Sequence, residues 1–182
     1  MKNFKLSRLL AAAALVACLS FTACKPAEDT TTQQIALVNT QIELMKAVQK
    51  IQLTGTWVES GSWGNSYYKV TENGFENYGD SFTSYAGDNL VIDMITPDSG
   101  TMFIKYTRAP DSNWNYTTDP ALAPDIGKWY AISFKNLTNT TIKLSGANKT
   151  GGRTSCASLS EARTEFTVEN GYFYIYSACS KR

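Results

Sequence analysis

From residue 53 onward, apolar and polar side chains alternate along short segments that are separated by turn-forming residues. An alternation with a period of two is typical of strands that bury one face. The pairs Asn73-Gly74 and Asn170-Gly171 have the composition of tight hairpin turns. Strands joined by such short turns pair with their neighbours in antiparallel fashion. The pattern therefore predicts a mainly β domain over residues 53–182.

The predicted strands number roughly eight to ten, and no long crossover separates them. Strand-like segments occupy residues 54–60, 66–79, 89–108, 128–147 and 165–179, with further turns at 97–100 and 138–139. A meander that closes on itself has no free edges, so a closed barrel is favoured over an open sheet. One short helix, residues 158–166, is predicted before the last hairpin. In that hairpin Tyr172, Tyr174 and Tyr176 are expected to share one strand face.

Residues 33–52 have the pattern of an amphipathic helix that precedes the β domain. Ile35, Val38, Ile42 and Met45 recur at helical spacing, and the segment contains no glycine or proline. Three roles remain open for this helix: packing on the β domain, self-association as a coiled coil, or a solvated stalk. The apolar repeat breaks towards the end of the segment, so a sustained heptad is not supported.

The first 23 residues have the organisation of a secretory signal peptide. A short basic segment, residues 1–8, precedes a mostly apolar run, residues 9–23, that is too short to span a bilayer comfortably. The polar residues 24–32 that follow are expected to form a flexible tether. The predicted organisation is therefore signal peptide, tether, helix and β domain.

The end of the apolar run, "FTAC" at residues 21–24, resembles the lipobox of bacterial lipoproteins. That resemblance implies cleavage before Cys24, a diacylglyceryl thioether on its sulfur and an N-terminal acyl chain. Two or three acyl chains anchor a protein stably. "LVAC", residues 15–18, has the more usual leucine at the first position, so Cys18 is the alternative anchor. The resemblance implies a bacterial envelope protein held to a lipid bilayer, with its domain in the periplasm or on the cell surface.

The tripeptide "GTW", with Gly55 and Trp57 at the start of the first predicted strand, resembles the Gly-x-Trp signature of lipocalins and related small barrels. In that family the tryptophan closes one end of the barrel, often beneath an arginine near the last strands. Arg153 or Arg163 is the expected counterpart. The resemblance implies a lipocalin-like barrel over residues 53–178. A tryptophan that is simply part of the core is the alternative.

Cys156 and Cys179 are the other two cysteines of the chain. Export would place them in an oxidising compartment, where a disulfide between them is expected. Such a bond would close a loop of 23 residues and contribute about 3 kcal/mol through loop entropy. A reactive thiol is the alternative.

The longest segment without a regular pattern, residues 109–127, is a candidate binding loop. Trp114 and Tyr116 are large aromatic residues within this polar segment, suited to contact a small apolar or aromatic ligand. Trp63, which lies near two glycines in residues 59–68, is a second candidate at the same mouth. The alternative for Trp114 and Tyr116 is that they anchor the loop to the barrel, and the alternative for residues 59–68 is an ordinary turn.

Composition excludes several classes of function. The chain has no histidine, which excludes a Ser-His-Asp or Cys-His catalytic site and histidine-ligated zinc or haem. No CxxC pair indicates a thiolate metal site, so no metal or cofactor is expected. Removal of Lys2, Lys5 and Arg8 with the signal takes the formal charge from +1 to about −2, which gives no reason to expect nucleic acid as a partner.

The function expected from these features is a membrane-anchored, lipocalin-like barrel that binds a small ligand or an envelope partner without catalysis. An adhesin or assembly protein that uses the outer face of the sheet is the alternative. A glycoside hydrolase is the third hypothesis, because paired carboxylates carry out that chemistry. The acidic residues are scattered, however, and no spacing singles out a pair.

Overall fold

A computed structural model describes residues 27–182 with the exception of residue 63, and side-chain surroundings from residue 32 onward. The predicted signal peptide, the two candidate anchors Cys18 and Cys24, and the candidate ligand-binding residue Trp63 lie outside the described residues. Residues 43–182 form a compact unit.

The described residues contain two helices and nine strands. The helices are α1 (Ala27–Leu53) and α2 (Leu159–Glu165). The strands are β1 (Gly55–Gly61), β2 (Gly64–Val70), β3 (Phe75–Gly79), β4 (Thr83–Thr96), β5 (Ser99–Pro110), β6 (Tyr116–Thr117), β7 (Trp129–Lys135), β8 (Thr141–Gly146) and β9 (Ser177–Lys181).

Eight of these strands form a closed antiparallel barrel. Each pairs with its neighbour in the order β1-β2-β3-β4-β5-β7-β8-β9, and β9 pairs back onto β1. The short strand β6 pairs with the end of β5 and is not one of the eight barrel strands. The predicted fold class is therefore confirmed: a mainly β, closed meander with an N-terminal helix and a short helix before the last strand. Turns form between β2 and β3, β4 and β5, and β7 and β8, as the turn residues predict.

The helix α1 begins at Ala27, so residues 27–32 of the predicted tether are helical. Its apolar residues Ile35, Val38 and Ile42 are exposed, whereas Gln49 and Leu53, near its end, are fully buried. The indole N–H of Trp57 donates to the Leu53 carbonyl at 2.8 Å. This bond satisfies one of the carbonyls that a helix end leaves unpaired. It ties the end of α1 to the first strand of the barrel.

The predicted hairpin around Asn170-Gly171 is wrong. Gly171 does occupy a turn with positive φ (82°), but residues 172–176 form no strand, and the last strand begins at Ser177. Tyr172 is fully buried, and its hydroxyl accepts a hydrogen bond from the Arg153 backbone N–H at 2.7 Å. Anchoring to this distant loop replaces the cross-strand pairing that the alternating tyrosines predict.

The predicted disulfide is also wrong: Cys156 and Cys179 are both buried free thiols. Cys156 pairs through its backbone with Trp129 at the start of β7. Cys179 lies in β9 opposite Ile142, near the start of β8. The two cysteines thus belong to different ends of the barrel wall, a separation that their spacing in the sequence does not reveal.

The two ends of the barrel differ. At the closed end, where β1 begins and α1 ends, the interior is filled by buried side chains. These include Leu53, Trp57, Val70, Phe75, Met102, Phe134, Ile142 and Leu144. At the open end, where β1 reaches Gly61, longer connections lead from β5 to β7 and from β8 to β9. The second of these carries α2, whose Arg163 forms a bidentate ion pair with Asp93 of β4.

Candidate functional site

Two adjoining cavities occupy the open end of the barrel. The lumen cavity has a volume of about 270 Å³, and the mouth cavity has a volume of about 480 Å³. Tyr85, Tyr130 and Asn148 line both. The lumen cavity is further lined by Tyr68, Asn77, Leu144, Ser145, Gly146, Tyr172, Tyr174, Ile175 and Ser177. The mouth cavity is further lined by Tyr106, Pro110, Trp114, Tyr116, Ala147 and residues 149–154.

The short last strand explains why the lumen is open at this end. The strand β9 begins at Ser177 and pairs with β1 only at Trp57 and Val58. The upper part of β1 therefore has no β9 partner. Tyr174 and Ile175, which precede β9, are exposed and line the lumen cavity beside Ser177. The gap in the barrel wall lies between these residues and β1.

Three tyrosines from three different strands form a tyrosine wall at this end of the barrel: Tyr85 and Tyr130 line both cavities, and Tyr106 lines the mouth cavity. The Tyr106 and Tyr130 rings stack with their centroids 4.8 Å apart, and Tyr85 meets Tyr130 edge-on at 5.1 Å. A Cβ atom at Gly146 would lie 2.5 Å from the Tyr130 hydroxyl and 3.2 Å from that of Tyr85. The glycine therefore leaves room for both hydroxyl groups in the upper barrel.

These tyrosines are neutral hydrogen-bonding groups rather than acids. Burial raises the pKa of Tyr85, Tyr106 and Tyr130 far above the ordinary value. Burial also raises the pKa of Tyr68 to about 12, and its hydroxyl donates to Ser177 Oγ at 2.9 Å. The tyrosine wall thus presents aromatic carbon surface and a few hydroxyl groups at fixed positions.

Trp114 and Tyr116, which the sequence identifies as candidates, both line the mouth cavity. Trp114 is 70% exposed and has φ of 64°, a conformation that bulky residues rarely adopt. Asp111 holds this turn, because its Oδ1 accepts the backbone N–H groups of Asn113 at 2.8 Å and Asn115 at 2.9 Å. The bond from Asn115 lowers the pKa of the Asp111 carboxyl. The loop therefore presents the indole in a fixed position.

Asp125 joins the two loops that surround the mouth. Its carboxylate accepts hydrogen bonds from Thr154 Oγ1 at 2.6 Å and from Ser155 Oγ at 2.7 Å. The Lys128 ammonium lies 3.3 Å from Asp125 Oδ1. Burial alone would raise the pKa of Asp125, but the hydrogen bonds from these three residues outweigh it and lower the pKa. Asp125 thereby fixes the distance between the β5–β7 and β8–β9 connections.

The signature residues Gly55 and Trp57 lie at the opposite, closed end. The cation above the Trp57 ring is Lys181 of β9, at 4.8 Å from the ring centre. The expectation of Arg153 or Arg163 is wrong: Arg153 lines the mouth cavity, and Arg163 is paired with Asp93. The register of β9 against β1 places Lys181 directly opposite Trp57.

The tyrosine wall was not identified as a site from the sequence, nor were Lys149 and Arg153 identified as cations that line the mouth cavity. Tyr85, Tyr106 and Tyr130 are far apart in the sequence, and each resembles a core residue by itself. Their position along the strands could have indicated a site, because all three lie near the ends of β4, β5 and β7 at the open end of the barrel. Strand ends at the mouth of a barrel are preferred places for ligand contacts.

Within residues 27–182, leaving aside residue 63, neither upper cavity is lined by a carboxylate. The same residues hold no cluster of three potential metal-binding side chains. They also include no helix that is both long and apolar enough to cross a membrane. On the outer surface, a groove of about 410 Å³ is lined by Glu76 and Asp88, but Glu76 pairs with Arg108.

Comparison with known proteins finds no protein-family model, no curated protein and no solved structure that matches this chain. Function is therefore inferred from the chemistry of the open end.

Proposed function

We propose that this chain is a lipid-anchored envelope protein whose barrel binds a small apolar or aromatic ligand in the two upper cavities, without catalysis. The observation that carries the proposal is the wall of Tyr85, Tyr106 and Tyr130. Ligand sites are typically concave, largely apolar and supplied with a few fixed polar groups. The volumes of about 270 Å³ and 480 Å³ suit a molecule with a few fused rings or a short chain.

A binding role agrees with the protonation states of the lining side chains. The buried tyrosines hold their protons at neutral pH, because burial raises their pKa. General acid–base catalysis works best with groups whose pKa lies near the operating pH. The described lining includes no carboxylate, and the chain has no histidine. A hydrolase with paired carboxylates in these cavities is therefore not favoured.

The proposed barrel is lipocalin-like in its closed meander and in its Gly55–Trp57 signature. It departs from the usual pattern in two ways, since Lys181 replaces the arginine above the tryptophan and a helix precedes the last strand. The shared feature that supports binding is a barrel closed at the tryptophan end and open at the other.

The lipid anchor is proposed from the sequence resemblance at Cys24, with Cys18 as the alternative. The bilayer of the bacterial envelope is then the partner of the N-terminus, and acyl chains supply the affinity. Mass spectrometry of the mature N-terminus tests this directly. We expect an acylated peptide that begins at Cys24 and is lost in Cys24→Ser. An acylated peptide that begins at Cys18 would support the alternative, and an unmodified N-terminus would contradict both.

Recognition of an envelope protein is the second candidate function, and one observation favours it. Phe82, Trp114, Leu122 and Ile175 are exposed apolar residues in connections at the open end. On the described strands, Ile95 is the large apolar residue that is exposed. A protein partner would therefore contact the open end rather than the outer face of the sheet. Such a partner would compete with a small ligand for Trp114.

A fluorescence titration tests small-ligand binding. The neutral dye N-phenyl-1-naphthylamine brightens when it leaves water. The protein used is the chain 25–182, which omits the predicted signal peptide and both candidate anchors and contains the compact unit of residues 43–182. We expect saturable one-to-one binding to this protein. Asn148→Trp places a large ring at the boundary of the two cavities and should weaken binding about tenfold, or ~1.4 kcal/mol.

Thr140→Trp is the matched control, because Thr140 is exposed between β7 and β8 at the closed end. It adds the same side chain far from the cavities and should leave dye affinity unchanged. Equal effects of the two substitutions, or the absence of saturable binding, would contradict a ligand site in the upper cavities.

A further inference from the structure

The charged residues in the lining of the two upper cavities are both cations. Lys149 and Arg153 line the mouth cavity, and the lumen cavity is lined by neutral residues. Among the described residues, neither cation lies within ion-pair distance of a carboxylate. An unpaired cation beside an aromatic cavity is available to a ligand.

Tyr172 contacts the side chain of Lys149 and the backbone of Arg153. The Lys149 ammonium lies 5.5 Å from the centre of the Tyr172 ring. The Tyr172 hydroxyl accepts the Arg153 backbone N–H at 2.7 Å and donates to Glu165. Tyr172 is fully buried, so it is a firm support for Lys149 and for the Arg153 backbone. The Arg153 guanidinium lies 3.9 Å from the neutral thiol of Cys156 through Nη1.

The acidic groups nearest to this side of the mouth already accept hydrogen bonds from other residues. Glu165 accepts from Tyr172, and Glu161 accepts the backbone N–H of Ala157 at 3.0 Å. Asp125 accepts from Thr154 and Ser155 and pairs with Lys128. The positive charge of Lys149 and Arg153 is therefore not neutralised by a direct partner in the described structure.

We propose that the ligand is a flat, largely apolar molecule that carries an anionic group, such as a carboxylate, sulfonate or phosphate. The ring system lies against Tyr85, Tyr106 and Tyr130, and the anion lies between Lys149 and Arg153. This inference rests on the proposed ligand-binding function and adds the ligand's charge. Lysine and arginine only donate hydrogen bonds, and their bonds to an anion are roughly twice as strong as neutral ones.

A matched pair of dyes separates the anion from the ring system. 1-Anilinonaphthalene-8-sulfonate and N-phenyl-1-naphthylamine have the same aromatic frame, and only the first carries a sulfonate. Both are titrated against the chain 25–182 and against its Lys149→Gln/Arg153→Gln variant. We expect the double substitution to weaken sulfonate binding about tenfold or more and to change the affinity of the neutral dye less than twofold.

Lys69→Gln/Lys143→Gln is the control for net charge. Both lysines are exposed on strands and lie outside the lining of the two upper cavities. This variant loses the same total charge and should bind both dyes as the unaltered protein does. Raising salt should weaken sulfonate binding to the unaltered protein, because ions screen exposed charges, and should have little effect on Lys149→Gln/Arg153→Gln.

The outcomes distinguish the two proposals. If neither dye binds saturably to the unaltered protein, the ligand-binding function fails. If the neutral dye binds but the double substitution leaves sulfonate binding unchanged, the anionic class is wrong and the binding function stands. One-to-one competition between the dyes excludes binding to unfolded protein. If the double variant does not fold, Lys149→Gln and Arg153→Gln are measured separately, and each should weaken sulfonate binding several-fold.

Discussion

The Lys181 ammonium lies 4.8 Å from the centre of the Trp57 ring and donates a hydrogen bond to the Gln52 carbonyl at 2.6 Å. A Cβ atom at Gly55 would lie 2.8 Å from Lys181 Cε, and Gly55 has φ of 137°. The backbone conformation therefore favours glycine there, and a larger side chain would displace the end of Lys181 from its place above Trp57. The first strand, the last strand and the end of α1 meet at this point, which closes one end of the barrel.

Lys181→Met should lower the free energy of unfolding by about 1–3 kcal/mol, because it removes a cation–π contact and leaves the Gln52 carbonyl unpaired. Urea denaturation provides the measurement. Lys143→Met is the control, since Lys143 is an exposed strand lysine, and it should change stability by less than about 0.5 kcal/mol. Equal stability of the two variants would show that Lys181 does not hold the closed end.

Asp125→Asn should destabilise the protein at pH 7 by about 1–2 kcal/mol, because it removes the charge from the bonds with Thr154, Ser155 and Lys128. The pKa of Asp125 is lower in the folded than in the unfolded state. The contribution of the Asp125 carboxylate to the free energy of unfolding is therefore complete above its unfolded pKa of about 4. That contribution is lost as the pH falls through the lower pKa of the folded state. Urea denaturation from pH 6 to pH 2 measures this.

The difference between wild type and Asp125→Asn should shrink over the acid part of that range. Asp80 and Asp111 have lowered pKa values as well, but they are present in both proteins, so their effects cancel in the comparison. Glu169→Gln is the control, because Glu169 is exposed. A difference between wild type and Asp125→Asn that does not vary with pH would count against the carboxylate as the link between the loops.

Trp114→Ala should weaken binding of the neutral dye about three- to tenfold, because an aromatic contact of roughly 1 kcal/mol is lost. Its effect on unfolding should be small, since the side chain is mostly exposed. Leu122→Ala is the matched control: Leu122 is also exposed and lies outside the lining of the mouth cavity. Fluorescence titration compares the two. Equal affinities would remove Trp114 from the binding site.

Cys156 and Cys179 should titrate as two thiols in the chain 25–182, which contains no other cysteine. In the folded protein both should react slowly with a disulfide reagent at pH 8, because burial raises the pKa of Cys156 and raises that of Cys179 to about 12. In urea without reductant both should react rapidly. An intact mass that is lower than that of the reduced chain by two hydrogen atoms would show a disulfide between Cys156 and Cys179 and would contradict this prediction.

The sequence was sufficient for the barrel but not for its contacts. Alternation and the Asn73-Gly74 turn depend on neighbouring residues, so the meander can be predicted from them. The identity of the cation above Trp57 depends on the register of β9 against β1. The sequence does not predict that register, because the alternating tyrosines Tyr172, Tyr174 and Tyr176 indicate a strand that begins five residues too early. Tyr172 instead packs in the core, and the Tyr176 hydroxyl bonds to Ser133 of β7, whereas Tyr174 is exposed.

The candidate site was likewise predictable where it depends on neighbouring residues and not where it depends on contacts between distant strands. Trp114 and Tyr116 were predicted because they lie together in a loop without a regular pattern, and the structure places both at the mouth cavity. Tyr85, Tyr106 and Tyr130 come together only when β4, β5 and β7 pair with one another. These contacts depend on the register of three strands, which local sequence patterns do not specify in detail.

A crystal structure of the chain 25–182 with N-phenyl-1-naphthylamine tests the central claim most directly. We expect one dye molecule at the open end, with its rings against Tyr85 and Tyr130 and within contact distance of Trp114. Tyr68 and Ser177 should border the same molecule if it extends into the lumen cavity. A dye bound only on the outer face of the sheet, with both upper cavities empty, would contradict the assignment of the open end as a ligand site.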